Sequence, residues 1–348
     1  MWNRCAFTVA DREYLWQDVV LAALWRGDWP AFERRLREGL ACETCAYEED
    51  DPADQDAVDT ATTEFRYEHE LITAEETEQW LERMELSVDV WSRYFVRQNL
   101  RARWDNRIDD VHDAFAPDDQ TVREHLVAEG ICSGWLRASA LALASRAAVA
   151  HDEPDASTVE PPEVDDGRLA MLLDAHGFVL GDVTPEHVRA QVAHIAWLDA
   201  TLERACARAL TPEAVHAQVE SSRLDWLLVD LERLSFPEAS MVRETLLCCQ
   251  EDDLSLAELA ARIRRSVASE QVRLEDSSPD FRAMLLSAKP GVLLGPIEAD
   301  EAFHAVVVRD KRLPSADDPE VRQLAETAVV DALLKRARML HVQWKHWV

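Results

Sequence analysis

Apolar residues recur at helical spacing through most of the chain. Leu15, Trp16, Val19, Val20, Ala23 and Leu24 fall on one side of a helix that Asp11 can cap. Gly27 ends that helix, and Trp29 to Leu40 predicts a second. Glu48 to Asp56 is acidic and interrupted by Pro52, which predicts a loop, and Val58 to Ile72 predicts the next helix. Thr73 and Glu76 stand at capping-box spacing ahead of a helix that turns Trp80, Leu81 and Met84 inward. Ser87 can cap another, carrying Trp91, Phe95 and Leu100. Thr121 to Ala150, rich in Ala and Leu, predicts one long helix bent at Gly130.

The pattern then changes. His151 to Gly167 has no periodicity and collects Pro154, Pro161 and Pro162 among acidic residues, as a linker does. Thr184-Pro185 and Thr211-Pro212 each place a polar cap before a proline at the first helical position. The first opens a helix whose apolar face holds Val188, Val192, Ile195, Leu202, Cys206 and Ala209. Strand signals come late, at Leu224 to Leu231 and at Ala302 to Val308. Asp318-Pro319 opens a closing helix with Val321, Leu324, Ala325, Ala328 and Ala332 as its stripe. The expected fold is mainly α with a small α+β lobe. Its expected parts are a helical core over 1–150, a linker over 151–167, a helical connector over 168–221, the lobe over 222–313, and a C-terminal helix over 314–348 that packs back on the core.

Charge narrows the partners. The 348 residues contain 37 Lys plus Arg against 67 Asp plus Glu, a formal net charge of -30. Such a surface opposes nucleic acid and anionic membrane, both polyanions, and favours a basic partner or simply solubility. No apolar run reaches the ~20 residues of a membrane helix. The start of the chain, where Asp11, Arg12 and Glu13 follow a short apolar patch, does not read as a secretory signal. Seven scattered cysteines make no disulfide framework and point to a reducing cytoplasm.

The most specific string lies near the end of the lobe. Ser278-Pro279-Asp280-Phe281 leads to Lys289-Pro290-Gly291-Val292-Leu293-Leu294-Gly295-Pro296, then to Glu301-Ala302-Phe303-His304-Ala305-Val306-Val307. This resembles the parvulin family of prolyl isomerases, in which a Phe, a Pro-Gly turn and a strand histidine follow at similar spacing. Leu224 to Val229 resembles the first parvulin strand, Ala239 to Cys249 its first helix and Ser255 to Arg265 its second. The helices on either side are similar in order to SurA- and PpiC-type chaperones, in which the parvulin lobe is inserted into a helical core, and to PpiC-related proteins of peptide maturation.

The resemblance implies a worn pocket. His304 keeps the second family histidine and Phe281 the apolar floor, while the first histidine falls at Trp226, whose indole cannot accept a hydrogen bond. Ser266 to Glu275 replaces a glycine-rich strand without one glycine, Ser277 falls near the family's apolar Met or Leu, and Ala302 replaces a glycine. Isomerisation needs both an apolar slot and a polar network, so no catalytic residue is assigned.

Other constellations add little chemistry. Cys42-Glu-Thr-Cys45 lacks the second pair a zinc site needs. Cys248 and Cys249 are adjacent and read as core thiols, and His187 and His194 share a helix side with no carboxylate pair beside them. No phosphate loop, GxSxG or HExxH is present, and no cofactor or metal is expected. The 12 Trp are numerous for short helices, among them Trp2, Trp16, Trp344 and Trp347; they serve either core packing or an aromatic groove. Trp25, Trp29, Trp80 and Trp91 are the expected peptide-binding residues. The expected function is non-catalytic binding of a peptide or protein client, such as a precursor peptide or a basic protein, in a chaperone-like or peptide-maturation role. The alternatives are an active isomerase with an atypical pocket, and an acidic adaptor or inhibitor.

Overall fold

The structure, a computed structural model, describes residues 2–180, 183–299 and 302–345; Glu301 and Trp347 lie outside the described residues. The chain divides into two compact units, one of Met1–Cys206 with Leu333–Val348 and one of Ala207–Ala332. The class is the expected one, mainly helical with a small α+β lobe.

The first unit opens with a hairpin of β1 (Cys5–Val9) and β2 (Arg12–Leu15), followed by α1 (Trp16–Arg26), α2 (Trp29–Glu48), α3 (Gln55–Glu68), α4 (Ala74–Met84) and α5 (Val88–Arg103). Next come α6 (Ile108–Ala114), α7 (Asp119–Cys132), α8 (Trp135–Asp152), α9 (Asp166–Leu180) and α10 (Pro185–Ala209). The hairpin corrects the expected capping by Asp11. Ala10 adopts a left-handed φ of 49°, and Val9 pairs with Arg12 around a tight turn that lacks the usual Gly or Asn. Helix α1 starts only at Trp16, and the Asp18 carboxylate accepts the Leu15 N–H at 2.8 Å. The capping box forms as expected: Thr73 N–H donates to Glu76 at 2.8 Å and Glu76 N–H to Thr73 Oγ1 at 3.2 Å.

The single long helix over Thr121 to Ala150 is instead two, α7 and α8, bent by 73°. The break falls at Gly134, whose φ of 71° favours glycine, and not at Gly130. Gly130 has another reason to lack a side chain: a Cβ there would lie 2.7 Å from Leu136 Cγ. The stretch expected as a connector also contributes core. Leu169, Leu172, Val188, Val192, Ile195 and Leu198 join Phe7, Trp16, Trp29, Leu126 and Leu143 in one apolar cluster.

The second unit contains α11 (Pro212–Ser221), β3 (Leu228–Phe236), α12 (Ala239–Glu251), α13 (Leu256–Arg262), β4 (Ala268–Arg273), α14 (Pro279–Ser287), β5 (Leu293–Ala299) and β6 (Ala302–Arg312). Its four strands form an antiparallel sheet in the order β4-β3-β6-β5. Alternation along β3 and β6 sorts the core onto two faces. Val229, Leu231, Val306 and Val308 pack with Leu274 and Leu285, and Leu234, Phe236, Ala305 and Val307 pack with Val242 and Leu256. Strand β3 starts later than the expected Leu224, because Leu224 is exposed and residues 224–226 are in turns.

Helix α15 (Pro319–His341) begins in the second unit and ends in the first, and is followed by β7 (Val342–Trp344). Strand β7 pairs antiparallel with β1, setting Trp344 opposite Phe7, so the first sheet has the order β2-β1-β7. Ala337 is buried against Ala148, Val149 and Ala205.

Candidate functional site

The parvulin-like residues do not assemble as the sequence reading expected. His304 lies on β6 opposite Ser235 of β3 and is 3% exposed. Its Nε2 is 2.9 Å from the Ala299 carbonyl, which can only accept, so this nitrogen carries the proton. In the neutral ring Nδ1 is then the acceptor, and the Ser235 hydroxyl donates a hydrogen bond to it at 2.9 Å. Both imidazole nitrogens are therefore engaged within the protein. The group facing His304 is a hydroxyl and not a second ring, which corrects the placement of Trp226 there. Trp226 precedes β3, packs with Val215, Val219, Val321 and Ala325, and donates its indole N–H to Glu275 at 3.1 Å. Phe281 lies against the sheet face of Val229, Leu231, Val306 and Val308. Alternation puts His304 and Ser235 on that same face.

Three of the four tryptophans expected to bind peptide are buried. Trp29, Trp80 and Trp91 are 0%, 5% and 6% exposed. Trp29 donates to Glu33 one turn along at 2.6 Å and meets the ring edges of Phe32 and Trp135. Trp80 and Trp91 frame Phe65, with centroids at 5.5 and 6.1 Å. These indoles fill gaps between helices, as large rings do where short helices meet. Trp25 alone is half-buried; the Arg168 guanidinium lies 4.0 Å from its ring centre, and it lines a shallow cavity of about 380 Å³ with Glu163, Asp165 and Asp199.

A larger opening of about 1020 Å³ lies elsewhere in the first unit, between the β1–β2 turn, the end of α8, residues 153–157 and α10. Its floor is aromatic. Tyr14 stacks on Phe7 at 4.8 Å, and His194 stacks on Trp197 at 5.4 Å. The Tyr14 hydroxyl and His194 Nε2 are 3.0 Å apart. Burial pushes the Tyr14 phenol up to about 12, and burial, with Arg12 second, pulls His194 down to about 4. At neutral pH both groups are uncharged, and the hydrogen bond joins a neutral phenol to a neutral imidazole.

His194 also sets an acid limit on stability. An unfolded histidine titrates near 6.5 and this one near 4, so the unfolded chain binds the extra proton first. The contribution is complete above about pH 6.5 and is lost as pH falls towards 4. Allowing for partial exposure, the loss is about 1–2 kcal/mol. Melting curves from pH 7 to 4 are expected to fall less steeply for His194→Gln than for the parent; superimposable slopes would refute the assignment.

The sequence reading singled out His194 and missed Tyr14 and Trp197, which no motif links. Cys42 and Cys45 are buried beside Leu100 and Trp104, and burial lifts the Cys42 thiol to about 11, so they are core thiols. Among the described residues no cluster of His, Cys, Asp and Glu could hold a metal ion.

No family model matches the chain, and no curated protein matches it. Among solved structures it is similar to the peptidylprolyl isomerase PrsA from Bacillus anthracis, at 12% identity over 56% of this chain and 92% of that one, with a TM-score of 0.26. PrsA from Bacillus subtilis matches at 11% identity over 62% and 86%, with a TM-score of 0.21. A structure from a report on PEB4 and Cj1289, two SurA-like chaperones of Campylobacter jejuni, matches at 10% identity over 68% and 93%, with a TM-score of 0.20. Likeness at this level carries no argument about activity.

Proposed function

We propose that this chain binds peptide or unfolded protein clients, in a chaperone-like or peptide-maturation role, and does not catalyse prolyl isomerisation. The observation that carries the reading is the open, aromatic-floored cleft of the first unit, a shaped surface whose Tyr14 and His194 are hydrogen-bonded to each other. The state of His304 supports the second half: its ring is buried and both nitrogens are engaged by Ser235 and Ala299, with no second imidazole facing it among the described residues. A cytoplasmic, reducing location is part of the proposal and is supported by seven free cysteines, among them the adjacent Cys248 and Cys249. The client is a precursor peptide or a basic protein.

Two measurements test this. A reduced and alkylated small protein, permanently unfolded, should bind the full chain, and Trp197→Ala should weaken binding at least about fivefold, or ~1 kcal/mol. No binding at micromolar concentrations would sink the reading. In a protease-coupled assay with a prolyl peptide the rate should equal the uncatalysed one. Catalysis that His304→Ala or Ser235→Ala abolishes would establish the rival reading, an isomerase with an atypical hydroxyl–imidazole pair.

A further inference from the structure

We propose that the cleft takes an extended peptide segment presenting a large apolar side chain, aromatic by preference, flanked by lysine or arginine. This rests on the client-binding reading and adds the chemistry that the client must carry.

The floor sets the central residue. His194 and Trp197, both half-buried, offer ring surface, and Tyr14 beneath satisfies His194 through their hydrogen bond. Trp197 donates its N–H to the carbonyl of Ala156, which also lines the cleft, at 3.4 Å. An aromatic side chain can stack there without burying an unpaired polar group of the floor. The walls add the methyl groups of Ala147 and Ala150 on α8, His151 at its end, and Leu198 of α10. A space of about 1020 Å³ reaches the top of the ~300–1,000 Å³ range of small-ligand pockets and has room for flanking residues.

The rim sets the flanks. Asp11 and Glu13 lie on the hairpin, exposed, and neither has an ion-pair partner among the described residues. Glu153 also lines the space, but it is half-buried and partnered. The cation on the hairpin, Arg12, is already engaged: its guanidinium lies 5.4 Å from the Tyr14 ring centre and donates to Gln191 at 3.3 Å. The mouth is therefore negative within a chain of net charge -30. The solvated carboxylates of Asp11 and Glu13 raise the association rate and exclude acidic segments, while the contact energy comes from the rings.

Three synthetic peptides of equal length test the assignment on the full chain by fluorescence anisotropy. One has a Phe-Leu-Phe centre flanked by lysines, one the same centre flanked by glutamates, and one a Ser-Ser-Ser centre flanked by lysines. The first should bind at least tenfold tighter than either of the others, with an association rate that falls as salt rises. Trp197→Ala should weaken it at least fivefold. Ser157→Trp, which fills the mouth from an exposed loop, should do the same without touching the core. Asp11→Asn with Glu13→Gln should reduce the preference for lysine over glutamate at least threefold. Equal binding of the lysine and glutamate peptides, lost in Ser157→Trp, would overturn the charge assignment and leave client binding intact. Equal binding of the two lysine peptides would reduce the effect to general attraction and overturn the proposal. Binding of unfolded protein unaffected by Ser157→Trp, with no peptide bound, would move the client site elsewhere. Failure of both probes would end the client-binding reading as well.

Discussion

Arg97→Ala is expected to cost about 3–5 kcal/mol of stability at neutral pH. Arg97, on α5, is fully buried, and its Nη2 donates to Glu129 of α7 at 3.0 Å. Gln98 donates to the other Glu129 oxygen at 2.9 Å, and Glu43 of α2 lies 3.7 Å from the guanidinium. The helices are close here: a Cβ on Gly39 of α2 would lie 3.3 Å from Arg97 Cβ. Truncation leaves a 3%-exposed carboxylate without its cation, in a site where burial already raises Glu129 above the usual carboxylate range. Glu129 then holds a proton in the folded chain that the unfolded chain has released. The deficit is accordingly smallest near pH 4 and grows as pH rises. Arg97→Met with Glu129→Leu should recover most of the loss, because both fully buried charges go, and Gln98 and Glu43 are exposed enough to be solvated. Urea titrations at pH 4.5 and 7.5 measure all three; a single-variant cost under ~1 kcal/mol, or a double variant no better than the single, would contradict the account.

Removing residues 333–348 should destabilise the first unit by several kcal/mol, lowering its melting midpoint by roughly 10 °C. The deletion removes β7 from β1, the Trp344 ring from its edge contact with Phe7 at 5.4 Å, and Ala337 from its buried site. It also removes the bond from Arg338 to Ser145 Oγ at 2.9 Å. Near-ultraviolet circular dichroism follows the loss, since eight tryptophans from Trp2 to Trp135, and Trp197 as a ninth, remain in that unit. An unchanged midpoint would show that the tail is an accessory and not part of the fold.

Local signals carried the helices well. Thr73 with Glu76, Ser87 and Thr211 act as caps where their spacing indicates, because a cap is decided by residues within one turn. Three failures share a cause. The β1–β2 hairpin turns on Ala10, β4 is a polar strand with no alternation, and β7 is three residues long. Each includes a strand with a partner distant in sequence, β1 with β7 and β4 with β3, which no local window sees. The four tryptophans show a different limit. A count of indoles does not separate buried from exposed, although Glu33 four residues after Trp29 supplies an acceptor one turn away and marks that indole as internal. The cleft was illegible for a further reason: it joins residues 9–14 to 147–157 and 194–198, none of which forms a motif alone.

The pairing of β7 with β1 also orders events during synthesis. The chain emerges from its N-terminus, so every residue of the second unit is available before β7 exists. Until then β1 has a partner on one side only, and the backbone groups meant for Val342 to Trp344 stand open as a sheet edge. A nascent first unit is thus a client-like species itself, exposing an edge strand beside apolar Phe7. It is closed by a segment that arrives only after an entire lobe has had time to fold.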